Sequence, residues 1–259
     1  MKNTFYFLCL FLVFGGRLAH GAEANYLFYF EDNQDLKKLT NSGSAQNPML
    51  YTAPSHQTAD QAKFGKGSLA IVETLGAKGE HYSGGFVCGI PSFSGEIHKM
   101  TITTWLRRPS SEGEINIFMR MPAEAPGGFS FQYSAYSKNL GLRVAGPGGK
   151  ADLINSEPIN CFFADEWIHF GVTFDEGKII FYVNGLPVGG GDMAAHGIKT
   201  IPASAPATTQ FNAFFGLQTG SYVDDFGFFT DRVLTAEEMD FLYSNGLEEL
   251  VKKSVLPKP

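Results

Sequence analysis

The sequence predicts an all-β fold, an antiparallel two-sheet sandwich that ends in one short helix. Three observations carry this expectation. Apolar and polar residues alternate in one segment after another between positions 26 and 230, and a period of two is the mark of a half-buried strand. Breakers are frequent, with 30 Gly and 13 Pro in 259 residues, which suits short strands joined by turns. No helical periodicity alternates with these segments, so a parallel α/β sheet is not expected. The chain is 44% apolar and 18% charged, the balance of a globular domain rather than a disordered one. Its 24 Phe favour strands, and its length can bury a core without staples.

The strands can be taken in order. Residues 100–107 (MTITTWLR) are β-rich and stop at Pro109. In 114–120, Ile115, Ile117 and Met119 alternate with Glu114, Asn116 and Phe118. Phe129, Phe131 and Tyr133 alternate with Ser130, Gln132 and Ser134, and Leu140, Leu142 and Val144 alternate with Gly141, Arg143 and Ala145. Ile168, Phe170, Val172 and Phe174 alternate with His169, Gly171 and Thr173. The turn Asp175-Glu176-Gly177 leads to a strand at 179–183, and Asn184-Gly185 closes a hairpin, since this pair accepts the positive φ angles of a type I′ turn. Residues 189–207, rich in Gly, Ala and Pro, read as a long surface loop. The helix begins near Thr235, where Thr235 and Glu238 form a capping box and Leu234 and Met239 a hydrophobic staple. Asn245-Gly246 stops it, and 248–259 reads as a frayed tail.

The domain boundaries follow. Residues 1–24 read as a signal peptide: Lys2 is basic, Phe5 to Phe14 is apolar, and the small residues Gly21, Ala22 and Ala24 follow. The apolar run is too short to span a bilayer; an uncleaved anchor is the alternative. The folded domain is expected over 25–247. A secreted, periplasmic or cell-surface location is implied, with no membrane span once the leader is gone. Net charge is −6, and cleavage after Ala22 would remove Lys2 and Arg17 and deepen it. An acidic chain without a basic cluster is not expected to bind nucleic acid. Cys88 and Cys161 remain after the leader; in an oxidising compartment they form a disulfide or stay as two buried thiols, and the sequence leaves both open.

Several segments resemble one family. Ala62-Lys63-Phe64-Gly65-Lys66-Gly67-Ser68-Leu69 resembles its "G-x-F-G-x-A-L" entry, and Met100-Thr101-Ile102-Thr103-Thr104-Trp105-Leu106-Arg107 its "F-T-I-S-x-W-V-R" strand. Glu166-Trp167-Ile168-His169-Phe170-Gly171-Val172-Thr173-Phe174 is similar to "W-x-H-V-A-V-T-Y", and Ile180-Phe181-Tyr182-Val183-Asn184-Gly185 to "L-Y-V-N-G". Residues 222–238 resemble "Y-I-D-D-V-R-I-Y-x-R-A-L-S-x-E-E". In this order and spacing they resemble the laminin-G-like jelly roll of the concanavalin A-like lectin/glucanase superfamily. Two departures stand out: Asn41-Ser42-Gly43-Ser44 lacks the family's early Asp, and Gly227 replaces an Arg in the last strand. The resemblance implies carbohydrate binding without catalysis; a structural or protein-interaction module of the cell surface is the alternative.

Candidate sites come from both readings. Alternation puts Gln132, Ser134, Tyr136 and Arg143 on the solvent side of neighbouring strands, the best place for a sugar, which needs polar groups beside an aromatic ring. The resemblance also implies a structural calcium, with Asp32 and Asp225 as ligands because Ca²⁺ prefers hard oxygens. Asp224 and Asp225 should then face opposite sides of their strand. The stretch 114–119 is similar to the "E-I-D-I-x-E" strand of laminarinase-type glycoside hydrolases. Those enzymes need two carboxylates, and here Asn116 and Met119 stand where the others belong, so no enzyme is expected. His169 is expected to make a structural hydrogen bond, and Trp105 and Trp167 to fill the core.

Overall fold

The computed structural model describes residues 25–31, 49–53, 55–58, 61–75, 81–83, 85–89, 96–109, 115–120, 127–134, 136–149, 151–161, 164–202, 210–215, 217 and 219–255. The strands run β1 (Asn25–Phe28), β2 (Met49–Ala53), β3 (Ser55–Thr58), β4 (Ser68–Ile71), β5 (Glu73–Leu75), β6 (His81–Ser83), β7 (Gly85–Gly89), β8 (Lys99–Arg107) and β9 (Ile115–Arg120). Then come β10 (Phe129–Ser134), β11 (Asn139–Ala145), β12 (Ala151–Asn155), β13 (Trp167–Asp175), β14 (Lys178–Val183), β15 (Leu186–Asp192), β16 (Gln210–Phe215) and β17 (Tyr222–Thr230). Two helices, α1 (Ala236–Asn245) and α2 (Leu247–Val255), follow.

These strands form two main antiparallel sheets. The first has the order β15-β14-β13-β8-β17-β4-β3, with β1 also on β17; the second has the order β12-β11-β10-β9-β16-β7-β2; β5 and β6 make a separate ribbon. The all-β sandwich with a helical C-terminus is therefore present. Alternation explains its core. From the first sheet Met100, Ile102, Leu106, Phe170, Val172 and Phe228 point inward, and from the second Phe129, Phe131, Tyr133, Leu140, Leu142 and Val144 meet them. The Asn184-Gly185 turn has φ of 50° and 77°, as a type I′ hairpin requires.

A second, smaller core lies on the far side of the first sheet. There α1 and α2 bring Met239, Leu242, Leu247 and Leu250 against Leu27, Tyr182 and Phe229. The Thr235–Glu238 capping box forms in both directions. Leu234 and Met239, the staple pair, are both buried. Two glycines make room for this layer. A Cβ on Gly171 would lie 2.3 Å from Met239 Cε, and one on Gly227 would lie 2.9 Å from Thr103 Cγ2 and 3.3 Å from Leu247 Cδ1. The Arg that the family carries at position 227 has no space here, because α2 occupies it.

Several expectations need correction. Residues 248–255, expected to fray, belong to α2, whose Leu247 and Leu250 are buried. Much of the expected loop 189–207 is ordered, since Gly189–Asp192 completes β15 and residues 193–196 form a 3₁₀ turn capped by Asp192. Trp105 is fully buried, as expected of a core residue, in the layer beneath the helices, whereas Trp167 is only half-buried at the start of β13. Cys161 is a free buried thiol, so the disulfide with Cys88 is not made. The topology gives the reason. Cys88 lies on β7, three strands from β10, whereas Cys161 shares a hydrogen bond with Tyr133 on β10. The leader (1–24) and residues 256–259 lie outside the described residues.

Candidate functional site

The outer faces of the two sheets differ in what covers them. On the first sheet the outward residues of β8, β13 and β17 lie under the helices and the 63–66 segment. Trp105 stacks on Tyr243 at 5.3 Å and meets the edge of Phe64 at 5.8 Å, with Lys63 Nζ 4.4 Å above its ring. His169 is fully buried, and its Nε2 lies 2.5 Å from Thr103 Oγ1. Burial lowers its pKa to about 3, so it stays neutral and cannot take a proton as a base at physiological pH. The expected structural hydrogen bond is therefore what this histidine makes.

Asp224 and Asp225 lie at a β-bulge between Asp224 and Gly227, where Asp225 takes a φ of 45°. The bulge removes the expected opposition of the two side chains. Both are buried and both work for the chain's own backbone. Asp224 Oδ2 accepts from Lys63 N (2.7 Å) and Phe64 N (3.1 Å), Asp224 Oδ1 accepts from Asp225 N (2.9 Å), and Asp225 Oδ2 accepts from Leu247 N (2.7 Å). Asp225 thereby ties the first residue of α2 to the sheet. Burial pushes both carboxyls far above the usual carboxylate range. The charge of Asp225 adds to this at Asp224, and the charges of Glu31 and Glu248 add to it at Asp225. Glu31 in turn accepts from Lys66 N at 2.9 and 2.7 Å.

This arrangement fits a calcium ion poorly. Asp225 Oδ2 and both oxygens of Asp224 already accept from backbone N–H groups, and among the described residues no three His, Cys, Asp or Glu side chains gather as ligands. Asp32, the other expected ligand, lies outside the described residues. Glu114 also lies outside them, immediately before β9.

The second sheet is open where β10, β11 and β12 meet. Register aligns Gln132 with Gly141 and Gly141 with Asn155, and in the next row Ser130 with Arg143 and Arg143 with Leu153. Directly opposed residues point to the same side, so these residues share the face turned away from the core. A Cβ placed on Gly141 would meet Asn155 Oδ1 at 2.8 Å, Leu153 Cδ1 at 3.3 Å and Gln132 Cγ at 3.7 Å. Gly141 is itself buried, and the side chains of Asn155, Leu153 and Gln132 close over the space that a Cβ there would take. Leu153 is 42% exposed, and Tyr136, on the turn between β10 and β11, is 78% exposed. Structure thus gathers Gln132 and Arg143 on one face, puts Ser134 half-buried at the end of β10, and leaves Tyr136 at the hairpin tip. Sequence reading missed Leu153, Asn155 and Gly141. For Leu153 and Asn155 the signal was the period-two pattern of 151–155, whose pairing partner only the fold reveals.

Comparison with known proteins adds the family. Residues 87–239, more than half the chain, match a laminin-G-type family described as concanavalin A-like lectin/glucanases superfamily. The chain belongs to this superfamily. Among solved structures, the superfamily member described here is similar to the botulinum neurotoxin serotype G binding domain (15% identity, TM-score 0.59, 85% of this chain and 50% of that one). It is also similar to the binding domain of botulinum neurotoxin DC in complex with rat synaptotagmin II (11%, 0.58, 86% and 51%). The same binding domain in complex with SialylT matches at 11% identity and a TM-score of 0.55, over 86% of this chain and 51% of that one. The chain spans about half the length of these structures, and at such identity the likeness establishes the fold alone. No curated protein matches it.

Proposed function

We propose that this chain is a secreted, non-catalytic binding domain that holds carbohydrate on the open face formed by β10, β11 and β12. One observation carries the reading. This face is polar and meets solvent at Arg143, Leu153 and Asn155, with Gln132, Arg143 and Asn155 as hydrogen-bonding groups and with Leu153 and the exposed Tyr136 as apolar surface. A sugar needs this combination, since its hydroxyls seek fixed donors and acceptors and its C–H faces seek apolar surface. Its structural neighbours support a binding role, one being a binding domain in complex with SialylT and another in complex with rat synaptotagmin II. A catalytic role is disfavoured because β9 carries Asn116 and Met119 where hydrolysis would need a second carboxylate. Secretion rests on the leader-like residues 1–24.

The test is binding to a glycan array by the wild type and by Tyr136→Ala and Arg143→Ala, each also followed by thermal melting. The reading expects lost binding at unchanged melting temperature. Full binding by both variants would contradict it. The second reading, a protein-interaction module of the cell surface, is supported by the exposed Ile180 and Leu186 on neighbouring strands β14 and β15. Binding to cell-surface protein but to no glycan, lost on Leu186→Asp, would favour it.

A further inference from the structure

The two sheets meet along one side at a seam that no strand ladder closes. β15 ends the first sheet and β12 ends the second, and the two do not pair with each other. They pack through bare backbone instead. A Cβ on Gly191 would lie 2.7 Å from Ile154 Cγ2, and one on Gly189 would lie 3.7 Å from Ser156 Cα. The 3₁₀ turn Met193–His196 follows β15 and plugs this side, with Met193 and Ile198 buried in the main core. A Cβ on Gly177 would lie 2.6 Å from Ala194 N, and one on Gly146 would lie 2.7 Å from Ile198 Cγ1. The plug is therefore wedged between the β13–β14 turn and the end of β11. Asp192 caps it, with Oδ1 accepting from Ala194 N (2.8 Å) and Ala195 N (3.3 Å). Gly197, at a φ of 87°, ends it.

One side-chain pair crosses the seam. The turn holds His196 at its end, and His196 Nδ1 contacts Asp152 Oδ2 on β12. Asp152 Oδ1 accepts from Leu153 N at 2.9 Å, which orients the carboxylate. Among the described residues no other ion pair joins the two sheets. Imidazole is the side chain that ordinarily changes charge between about pH 5 and 8. A neutral His196 can hold Asp152 through an Nδ1–H hydrogen bond, and a protonated one adds a charge pair to the same bond. Both side chains are partly exposed, 53% and 24%, so water screens the added attraction. The elements around the turn carry other charges: Lys178 on β14, opposite Asp192, then Asp175 and Glu176, and Lys199. Asp175 lies 3.7 Å from Lys99, Arg143 on β11 faces the other side of its sheet, and none of these groups pairs with His196. We propose that His196 and Asp152 form a pH-sensitive clasp across the seam, tighter when the imidazole is protonated, so that β12 opens more readily as pH rises. The clasp is tightest near about pH 5.5, where a carboxylate is ionised and an imidazole ordinarily charged, and it slackens toward alkaline pH. It goes beyond the carbohydrate reading, which neither requires it nor falls with it.

The test is hydrogen exchange of the β12 amides in the full chain at about pH 5.5 and about pH 8.5. Protection is expressed relative to each amide's intrinsic rate, and the amides of the central strand β13 report any change in global stability. Protection of β12 relative to β13 should fall about threefold between the two conditions, the scale of one exposed charge pair. His196→Gln can still donate a hydrogen bond but never carries the charge, so its β12 protection should not change with pH. Asp152→Asn removes the other charge and should flatten the response in the same way. An unchanged ratio in the wild type overturns the clasp. A fall that persists in either variant overturns it as well.

Discussion

The two sheets of this sandwich use their outer faces in opposite ways. The first sheet carries the residues that look like chemistry, with Trp105, His169, Asp224 and Asp225 close together. All four are buried beneath α1, α2 and the 63–66 segment, and the two carboxyl groups accept from the chain's own backbone. The second sheet carries residues of ordinary appearance, such as Gln132, Arg143, Leu153 and Asn155, yet these meet solvent on a polar surface. Residue type alone therefore misleads here. What covers a face decides whether its residues can bind anything, and the C-terminal helices decide it for the first sheet.

The comparison can be broken by substitution, and the largest effect is expected at its structural pole. Trp105→Ala removes a fully buried ring that packs on Tyr243 and Phe64. A loss of about 3–5 kcal/mol in denaturant unfolding is expected; a loss under about 1 kcal/mol would mean that the helices do not seal this face. Gly227→Val forces a side chain against Thr103, Phe229 and Leu247. It should cost about 1–3 kcal/mol by overpacking. Thr235→Ala removes the hydroxyl of the α1 capping box, and urea unfolding should show a loss of about 1 kcal/mol.

The covered face should also respond to pH. Asp224 and Asp225 have raised folded-state pKa values, so the fold favours their protonated forms. The stability this contributes is complete below the ordinary carboxylate range, about pH 4, and is lost as pH rises past it. His169 has the opposite sign. Its pKa is lowered to about 3, so its contribution is complete above about 6.5 and is lost as pH falls below that. Between pH 8.5 and 6.5 only the aspartates should act, and melting temperature should climb on acidification. Asp224→Asn should flatten that slope, and an unchanged slope in the variant would contradict the assignment. The smallest effect is expected from calcium. Millimolar Ca²⁺ should leave the melting temperature within about a degree, because Asp225 already accepts from Leu247 N–H. A rise of several degrees would restore an ion site shared with Asp32.

Much of the architecture was legible in the sequence because it is local. Alternation located β9, β10, β11 and β13, β-rich composition located β8, the flanking turns placed β14 and its Asn184-Gly185 hairpin, and Thr235 with Glu238 placed the start of α1. Long-range features were not legible. The bulge that turns Asp225 to a φ of 45° depends on its pairing with β8. The glycine-rich end of β15 is a strand because β14 pairs with it, and α2 is ordered by Leu247 and Leu250 against the sheet. The candidate face shows the same division. Alternation put Gln132 and Arg143 outward, but nothing in 120, 130, 143 and 153 reveals that they form one row until four strands are paired.

Two glycines allow the most direct test of this division of labour. Gly141 lies on the open sheet and Gly227 beneath α2. Gly141→Val and Gly227→Val should be compared by thermal melting and by glycan-array binding at a temperature where both remain folded. Both melting temperatures should fall, since a Cβ at either position meets a neighbour within 3 Å, but while both variants remain folded binding is expected to vanish in Gly141→Val and to persist in Gly227→Val. The reverse pattern, with Gly141→Val still binding and Gly227→Val silent while folded, would contradict the account.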